Sequence, residues 1–121
     1  MTDEERQQGW RPGGLQQVAA HAGLRRLYAI MHVGPIETHK SGGAEVWAYD
    51  LDSHRRIARY RLPRLATSII ATTDATPLLF AINVDAPGLD VYDARTGGFL
   101  RTVTEVGTTP TIMTLADGTG P

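Results

Sequence analysis

The chain repeats itself, and that repeat limits its fold more than any other feature of the sequence. Shifted by 52 residues, Val18-Ala19 falls on Ile70-Ala71 and Leu27-Tyr28-Ala29-Ile30 falls on Leu79-Phe80-Ala81-Ile82. Shifted by 43, Tyr49-Asp50 falls on Tyr92-Asp93, Ile57 on Leu100, and Ser68-Ile69-Ile70 on Thr111-Ile112-Met113. The two shifts differ by nine residues, which are assigned to an insertion in the loop Gly34–Gly43 of the first copy. Self-similarity at this period marks stacked supersecondary units that bury their apolar faces against one another.

Within each copy the pattern is that of strands. In 26–33, Leu27, Ala29, Met31 and Val33 alternate with Tyr28, Ile30 and His32. Apolar groups on both sides predict a strand in a sheet covered on both faces. Val46, Trp47 and Tyr49 suit a packed, pleated surface over 44–50. In 56–62, Ala58, Tyr60 and Leu62 alternate with Arg59 and Arg61, the period-two mark of a half-exposed strand. A shorter, mixed strand is expected over 15–20. Asp50 to Arg55 reads as a hairpin turn, with Asp50 and Asp52 accepting turn amides. In the second copy Gly97 or Gly98 supplies a positive φ to the matching turn. No sustained 3.6-residue period appears, so helix content is expected to be low.

The predicted fold class is therefore all-β: two four-stranded β-propeller blades plus one extra strand. The blades are expected over about 14–63 and 66–106, with the extra strand over 109–115. Residues 1–13 read as a flexible lead, with Trp10 able to tuck against the body, and 116–121 as a flexible tail. Two blades share one interface and leave two apolar outer faces, so the chain is expected to be part of a larger ring or an assembly.

Composition removes several functions. The formal net charge is −1, so no bulk field draws the chain to nucleic acid. There is no cysteine, hence no disulfide and no thiolate chemistry. No apolar run reaches the ~20 residues of a membrane helix. The polar start, Met1 to Gln8, is not a secretory signal peptide, so the chain made as it stands would remain in the cytoplasm.

No catalytic, cofactor-binding or metal-binding residue is assigned. His21, His32, His39 and His54 lack the convergent spacing of a zinc site. Asp85, Asp90 and Asp93 fall in or beside a strand, where turn capping is simpler than calcium binding. Asp50 and Asp52 sit on a hairpin tip without the pocket that acid–base work needs. Arg55, Arg56, Arg59, Arg61 and Arg64 form the one charge cluster. It reads as a solvated outer strand that resists edge pairing, with docking of an acidic partner as the alternative. Gly13-Gly14 and Gly42-Gly43 lack the lysine and helix of a phosphate loop. Gln16, Gln17, Thr67 and Ser68, at the funnel positions of a propeller, are poor metal ligands or acid–base groups, which argues against a lactonase or lyase.

An ordered set of segments adds a family. Trp10-Arg-Pro-Gly-Gly, Gln16-Gln17-Val18-Ala19, Val46-Trp-Ala-Tyr-Asp-Leu, Pro77-Leu-Leu-Phe-Ala, Leu89-Asp-Val-Tyr-Asp-Ala-Arg-Thr-Gly, Leu100-Arg-Thr-Val and Gly107 to Pro110 run through the chain after residue 9. Together they resemble the C-terminal part of the amine dehydrogenase heavy subunit, of the methylamine and aromatic amine dehydrogenase family. The resemblance implies a segment of a seven-bladed propeller in a periplasmic quinoprotein. It implies a partner light subunit that carries tryptophan tryptophylquinone and the catalytic carboxylate. It also implies oxidation of primary amines to aldehyde and ammonia, with electrons passed to a blue copper protein of the amicyanin or azurin type. This chain would be a structural part, inactive alone. Two departures stand out: the upstream blades are absent, and Gly107-Thr108-Thr109 precedes Pro110 where the pattern has a histidine. The quinone tryptophans belong to the light subunit, so Trp47 is expected in the core between blades. A self-assembling interaction module made of propeller blades is the alternative reading.

Overall fold

A computed structural model describes residues 1–73 and 75–105. The expected extra strand at 109–115 and the tail at 116–121 lie outside the described residues. What is described is all-β apart from one short helix and one 3₁₀ turn. The elements are α1 (Asp3–Gln8), β1 (Trp10–Pro12), β2 (Val18–His21), β3 (Arg26–Val33), a 3₁₀ turn (Ile36–Thr38), β4 (Gly43–Asp50), β5 (Arg56–Ala66), β6 (Ser68–Ala71), β7 (Leu78–Asn83), β8 (Ala86–Asp93) and β9 (Phe99–Val103).

The strands form two antiparallel sheets. In the first, β3, β4 and β5 follow in order, while β1 and β2 lie end to end along the free side of β3. The second sheet runs β6-β7-β8-β9. Each copy of the repeat is thus one meander. The first differs by the extra strand β1 and by the Gly34–Gly43 insertion, which holds the 3₁₀ turn between β3 and β4.

The burial pattern follows the side chains. Tyr28, Ala29, Ile30, Met31 and His32 are all buried, as a strand covered on both faces requires. In β5, Tyr60, Leu62 and Ala66 are buried while Arg59, Arg61, Pro63 and Leu65 are exposed. Gly97 takes a φ of 75°, the left-handed turn residue of the second copy. A Cβ there would lie 2.2 Å from the Tyr60 ring, so glycine also lets that turn seat against the first sheet.

One buried cluster joins the sheets. Tyr28, Ile30, Val46, Ala48, Tyr60 and Leu62 of the first face Ile69, Leu79, Ala81 and Tyr92 of the second. Tyr28 and Tyr60 both donate their hydroxyls to the Ala94 carbonyl, at 2.8 and 3.0 Å. Backbone bonds from Leu15 to Thr67 and from Ile69 to Gln16 close one end.

Residues related by the repeat lie on opposite sides of this interface. Tyr28 and Ala48 point toward the second sheet, but their counterparts Phe80 and Val91 do not belong to the shared cluster. Conversely, Ala81 and Tyr92 join it, while their counterparts Ala29 and Tyr49 lie on the far face of the first sheet. The two units are therefore stacked head to tail. Ladder register corrects one sequence match. Val18 pairs with Ala29, and Ile69, not Ile70, pairs with Ala81. The shift for the first strand is thus 51; the side-chain period of two makes the one-residue difference decisive.

Residues 1–13, expected from the sequence as a flexible lead, carry regular structure. Thr2 caps α1 through the Glu5 amide while the Glu5 carboxylate accepts from the Thr2 amide, a full capping box. Gly9, at φ 87°, ends the helix, and β1 pairs with Met31–Val33. The Thr-x-x-Glu signal was present in the sequence, but no apolar stripe accompanies it.

Candidate functional site

The strongest concentration of charge and aromatic surface is on the far face of the first sheet. In β3, β4 and β5, the ladder sets Ala29, Trp47 and Arg59 side by side, with Met31, Glu45 and Arg61 in the next row. Trp10, carried in by β1, packs over Trp47 with ring centroids 5.3 Å apart at 44°. This is the tuck expected of Trp10. Trp47, however, does not belong to the core between the sheets. Its row in the ladder points it the other way, where it clusters with Ala29 and Met31.

Two guanidinium groups sit on that floor. The Arg59 guanidinium carbon lies 4.7 Å from the Trp10 ring centre and 4.9 Å from that of Trp47. Arg56 lies 4.6 Å over Trp47. All three distances are in the range where the aromatic face attracts a cation. Glu45 accepts two bonds from Arg59, at 2.7 and 2.9 Å, and one from the Trp47 indole at 3.0 Å. The bidentate contact holds the Glu45 carboxyl below its ordinary range and raises Arg59.

The second carboxylate comes from α1. Glu5, 6% exposed, accepts from Arg56 at 2.6 Å and from Arg59 at 3.0 Å through the same oxygen. Its other oxygen accepts the Thr2 amide at 2.8 Å. The Thr2 amide and then Arg56 bring its pKa down to about 2. Arg56 and Arg59 are thus not the solvated charges the sequence suggested. Their partners lie 51 and 54 residues away in Glu5, a separation that no local pattern reveals.

Arg64 likewise bonds Asp90 across the sheets at 3.0 Å, and Asp90 also accepts from Thr102 at 2.7 Å. Asp90 is therefore an ion-pair partner, not a turn cap. Asp93 does cap, accepting the amides of Arg95 and Thr96, and Asp50 accepts that of Ser53. Asp52 pairs with Arg25 at 2.8 Å on the surface, and Asp85 is exposed. Arg55 and Arg61 are exposed.

The histidines scatter. His21 accepts the Leu24 amide, His39 and His54 are exposed, and His54 takes a positive φ of 62°. Among the described residues no group of three His, Cys, Asp or Glu is placed to hold a metal ion. His32 meets the Thr38 hydroxyl at 2.8 Å, which at first sight pairs a base with a nucleophile. But the Thr38 hydroxyl donates to the Pro35 carbonyl at 2.6 Å, so the ring nitrogen is the donor to Thr38. A donor nitrogen cannot take the hydroxyl proton, and the contact fastens the insertion. Gly13 packs against the His32 ring, where a Cβ would lie 2.3 Å from Nδ1. Gly42 and Gly43 sit under backbone at similarly close range. Gln16 and Ser68 meet in a parallel bridge between the sheets, Gln17 donates to the Gly14 and His39 carbonyls, and Thr67 bonds Ile82.

A cleft of about 460 Å³ opens beside the Trp10 platform. It is walled mainly by Trp10, Met31, Val33, Pro35, Ala44 and Leu65. Its lining is mostly apolar; His32, Thr38 and Ser41 are its polar members, and the His32–Thr38 contact there is the one that fastens the insertion. Trp47 is fully buried, with its indole N–H bound to Glu45, and Arg59 contacts both tryptophan rings.

Comparison with known proteins is consistent along the whole described length. The family model described as methylamine dehydrogenase heavy chain matches residues 1–117. The methylamine dehydrogenase heavy chain of Paracoccus versutus is 36% identical over 117 residues, covering 97% of this chain and 28% of its own length. That of Methylophilus methylotrophus is 34% identical, covering 97% and 29%, and that of Methylorubrum extorquens 29% identical, covering 97% and 28%. The chain thus spans less than a third of the length of the curated relatives it matches. It belongs to the methylamine dehydrogenase heavy chain family.

Proposed function

We propose that this chain is a structural segment, from the C-terminal part, of the heavy subunit of a quinoprotein amine dehydrogenase. The family match over residues 1–117 carries the reading. Head-to-tail stacking of two meanders supports the further step that they are two blades of a seven-bladed propeller. In the complete periplasmic enzyme a light subunit would hold tryptophan tryptophylquinone and oxidise a primary amine to aldehyde and ammonia. A blue copper protein of the amicyanin or azurin type would take the electrons. The part played by this chain is to complete the ring that seats the light subunit.

A chimera tests this. The matching 117 residues of a relative's heavy chain are replaced by residues 1–117 of this chain, and the product is co-expressed with the light subunit. The expected result is co-purification and amine oxidation with a dye acceptor. A folded chimera that leaves the light subunit behind overturns the assignment. The isolated chain should show no turnover of methylamine with the same dye; turnover would refute a purely structural role. Exposed Phe99 and Leu100 on the edge strand β9 favour the second reading, a self-assembling module. A defined oligomer of the isolated chain in sedimentation would favour that reading.

A further inference from the structure

Glu5 is the only buried residue of α1. Asp3 and Arg6 keep 93% and 60% of their side chains exposed, so the helix meets the body through the Glu5 carboxylate and through Gln8, which accepts the Trp10 indole N–H at 3.0 Å. A six-residue helix is far too short to stand alone in water. Its position therefore depends on the bonds that Arg56 and Arg59 make to Glu5 and on the pairing of β1 that follows.

Those two arginines are held without Glu5. Arg59 is fixed by the bidentate contact to Glu45 and by the flanking tryptophan rings, and Arg56 rests on Trp47. With Glu5 withdrawn, two guanidinium groups face one remaining carboxylate, and the floor carries an excess of one positive charge. Two N–H donors already converge on a single point, the Glu5 oxygen at 2.6 and 3.0 Å. This is a preformed receptor for a carboxylate, with an apolar floor for the methylene carbons behind it.

We propose that Arg56 and Arg59, on the Trp10–Trp47 floor, form a carboxylate-binding site. Glu5 occupies it, and an acidic side chain of another polypeptide takes its place when α1 lifts away. The helix is then a latch: it keeps the site filled and its charge balanced until a competing carboxylate arrives. The charged and titratable groups at the site are Glu5, Glu45, Arg56 and Arg59, with Arg61 beside Glu45 in the ladder and the Tyr49 phenol near Arg56.

The probe is propionate, the side-chain fragment of glutamate, added to the full chain carrying Glu5→Ala. Chloride at equal ionic strength is the control. Trp10 and Trp47 are the only tryptophans, so indole fluorescence reports on the site. The expected result is a saturable change with half-saturation on the order of 10 mM, as befits so small a ligand. It should be absent in wild type and in the double variant Glu5→Ala/Arg56→Met. A capped peptide of residues 2–9 should compete with propionate, and the same peptide with Gln in place of Glu5 should bind at least tenfold more weakly. A linear, chloride-like response, or equal responses with and without Arg56, overturns the proposal. If Glu5→Ala fails to fold, refolding with propionate decides: recovery of the strand signal with propionate but not chloride supports the site, and no recovery refutes it.

Discussion

The contact between the sheets can be tested at one carbonyl. Ala94 is fully buried, and its oxygen accepts hydroxyls from Tyr28, on β3, and Tyr60, on β5. Tyr60 also reaches the Arg95 carbonyl at 3.0 Å. Replacing Tyr28 by Phe removes one neutral hydrogen bond and leaves the ring in place, for a cost of about 1 kcal/mol. Tyr60→Phe should cost about the same, because in each case the other hydroxyl still satisfies Ala94. The double variant removes both donors. Only the Arg26 guanidinium remains near, at a weak 3.5 Å, so a buried acceptor is left almost unpaired. That adds about 1 kcal/mol beyond the sum, for a total of roughly 3 kcal/mol. This is well within the usual stability of a domain, so the double variant should still fold. Urea unfolding of the four proteins gives the coupling directly, provided that the slope stays constant. Additivity within about 0.3 kcal/mol would mean that the two tyrosines do not share an acceptor, and the stacking described above would be wrong.

Other perturbations address the turn, the latch and the core. Gly97→Ala combines a positive φ with a Cβ driven into the Tyr60 ring, and should lower stability by about 2 kcal/mol or more in the same urea assay. Glu5 titrates at about 2 when docked, against an ordinary 4.5, so its contribution is complete above 4.5 and is lost as the pH falls through about 2. Tryptophan fluorescence should report release of α1 in that acid window. Glu5→Gln should abolish the transition, and a transition that persists in the variant would assign it elsewhere. Burial pushes the Tyr92 phenol up to about 12. Its stabilising effect is present below pH 10 and is lost as the pH rises toward 12. Tyr92→Phe should therefore flatten the alkaline loss of stability seen by circular dichroism, and an unchanged profile would contradict this.

Strands were legible because their signal is local. The alternation in β5 and the double-sided apolar run in β3 are properties of adjacent residues, and both strands formed where expected. Face assignment was not local. Nothing in Val46-Trp-Ala-Tyr says which face meets the second sheet, and Trp47 went to the far one. The first-strand register was misjudged by one because Ile69 and Ile70 are chemically identical, and only the ladder distinguishes them. The charged platform was illegible for a stronger reason. Glu5 meets its arginines only after the chain has returned through four strands, and α1, with one buried side chain, has no apolar stripe to announce it. The arginine cluster at 55–64 was noticed, but its partners are set by tertiary structure alone.

Head-to-tail stacking uses opposite faces of the two units. A face-to-face dimer of identical sheets would spend the same face twice and close on itself. Here the first unit uses Tyr28, Ile30 and Ala48, and the second answers with the opposite face, Ala81 and Tyr92. A contact of this kind does not terminate; it repeats until rotation closes a ring or a different structure caps the end. The two ends of this stack are correspondingly unlike. At one, Ala29, Met31 and Trp47 are covered by Trp10, with two arginines neutralised by Glu45 and the carboxylate of α1. On the other outer face lie Phe80, half-buried, and Val91, buried, the counterparts of the residues that meet the second sheet. The charged cluster therefore lies on one outer face of the stack, and these apolar side chains lie on the other. The end closed through Glu5 is therefore the one at which a competing partner would have to displace part of this chain.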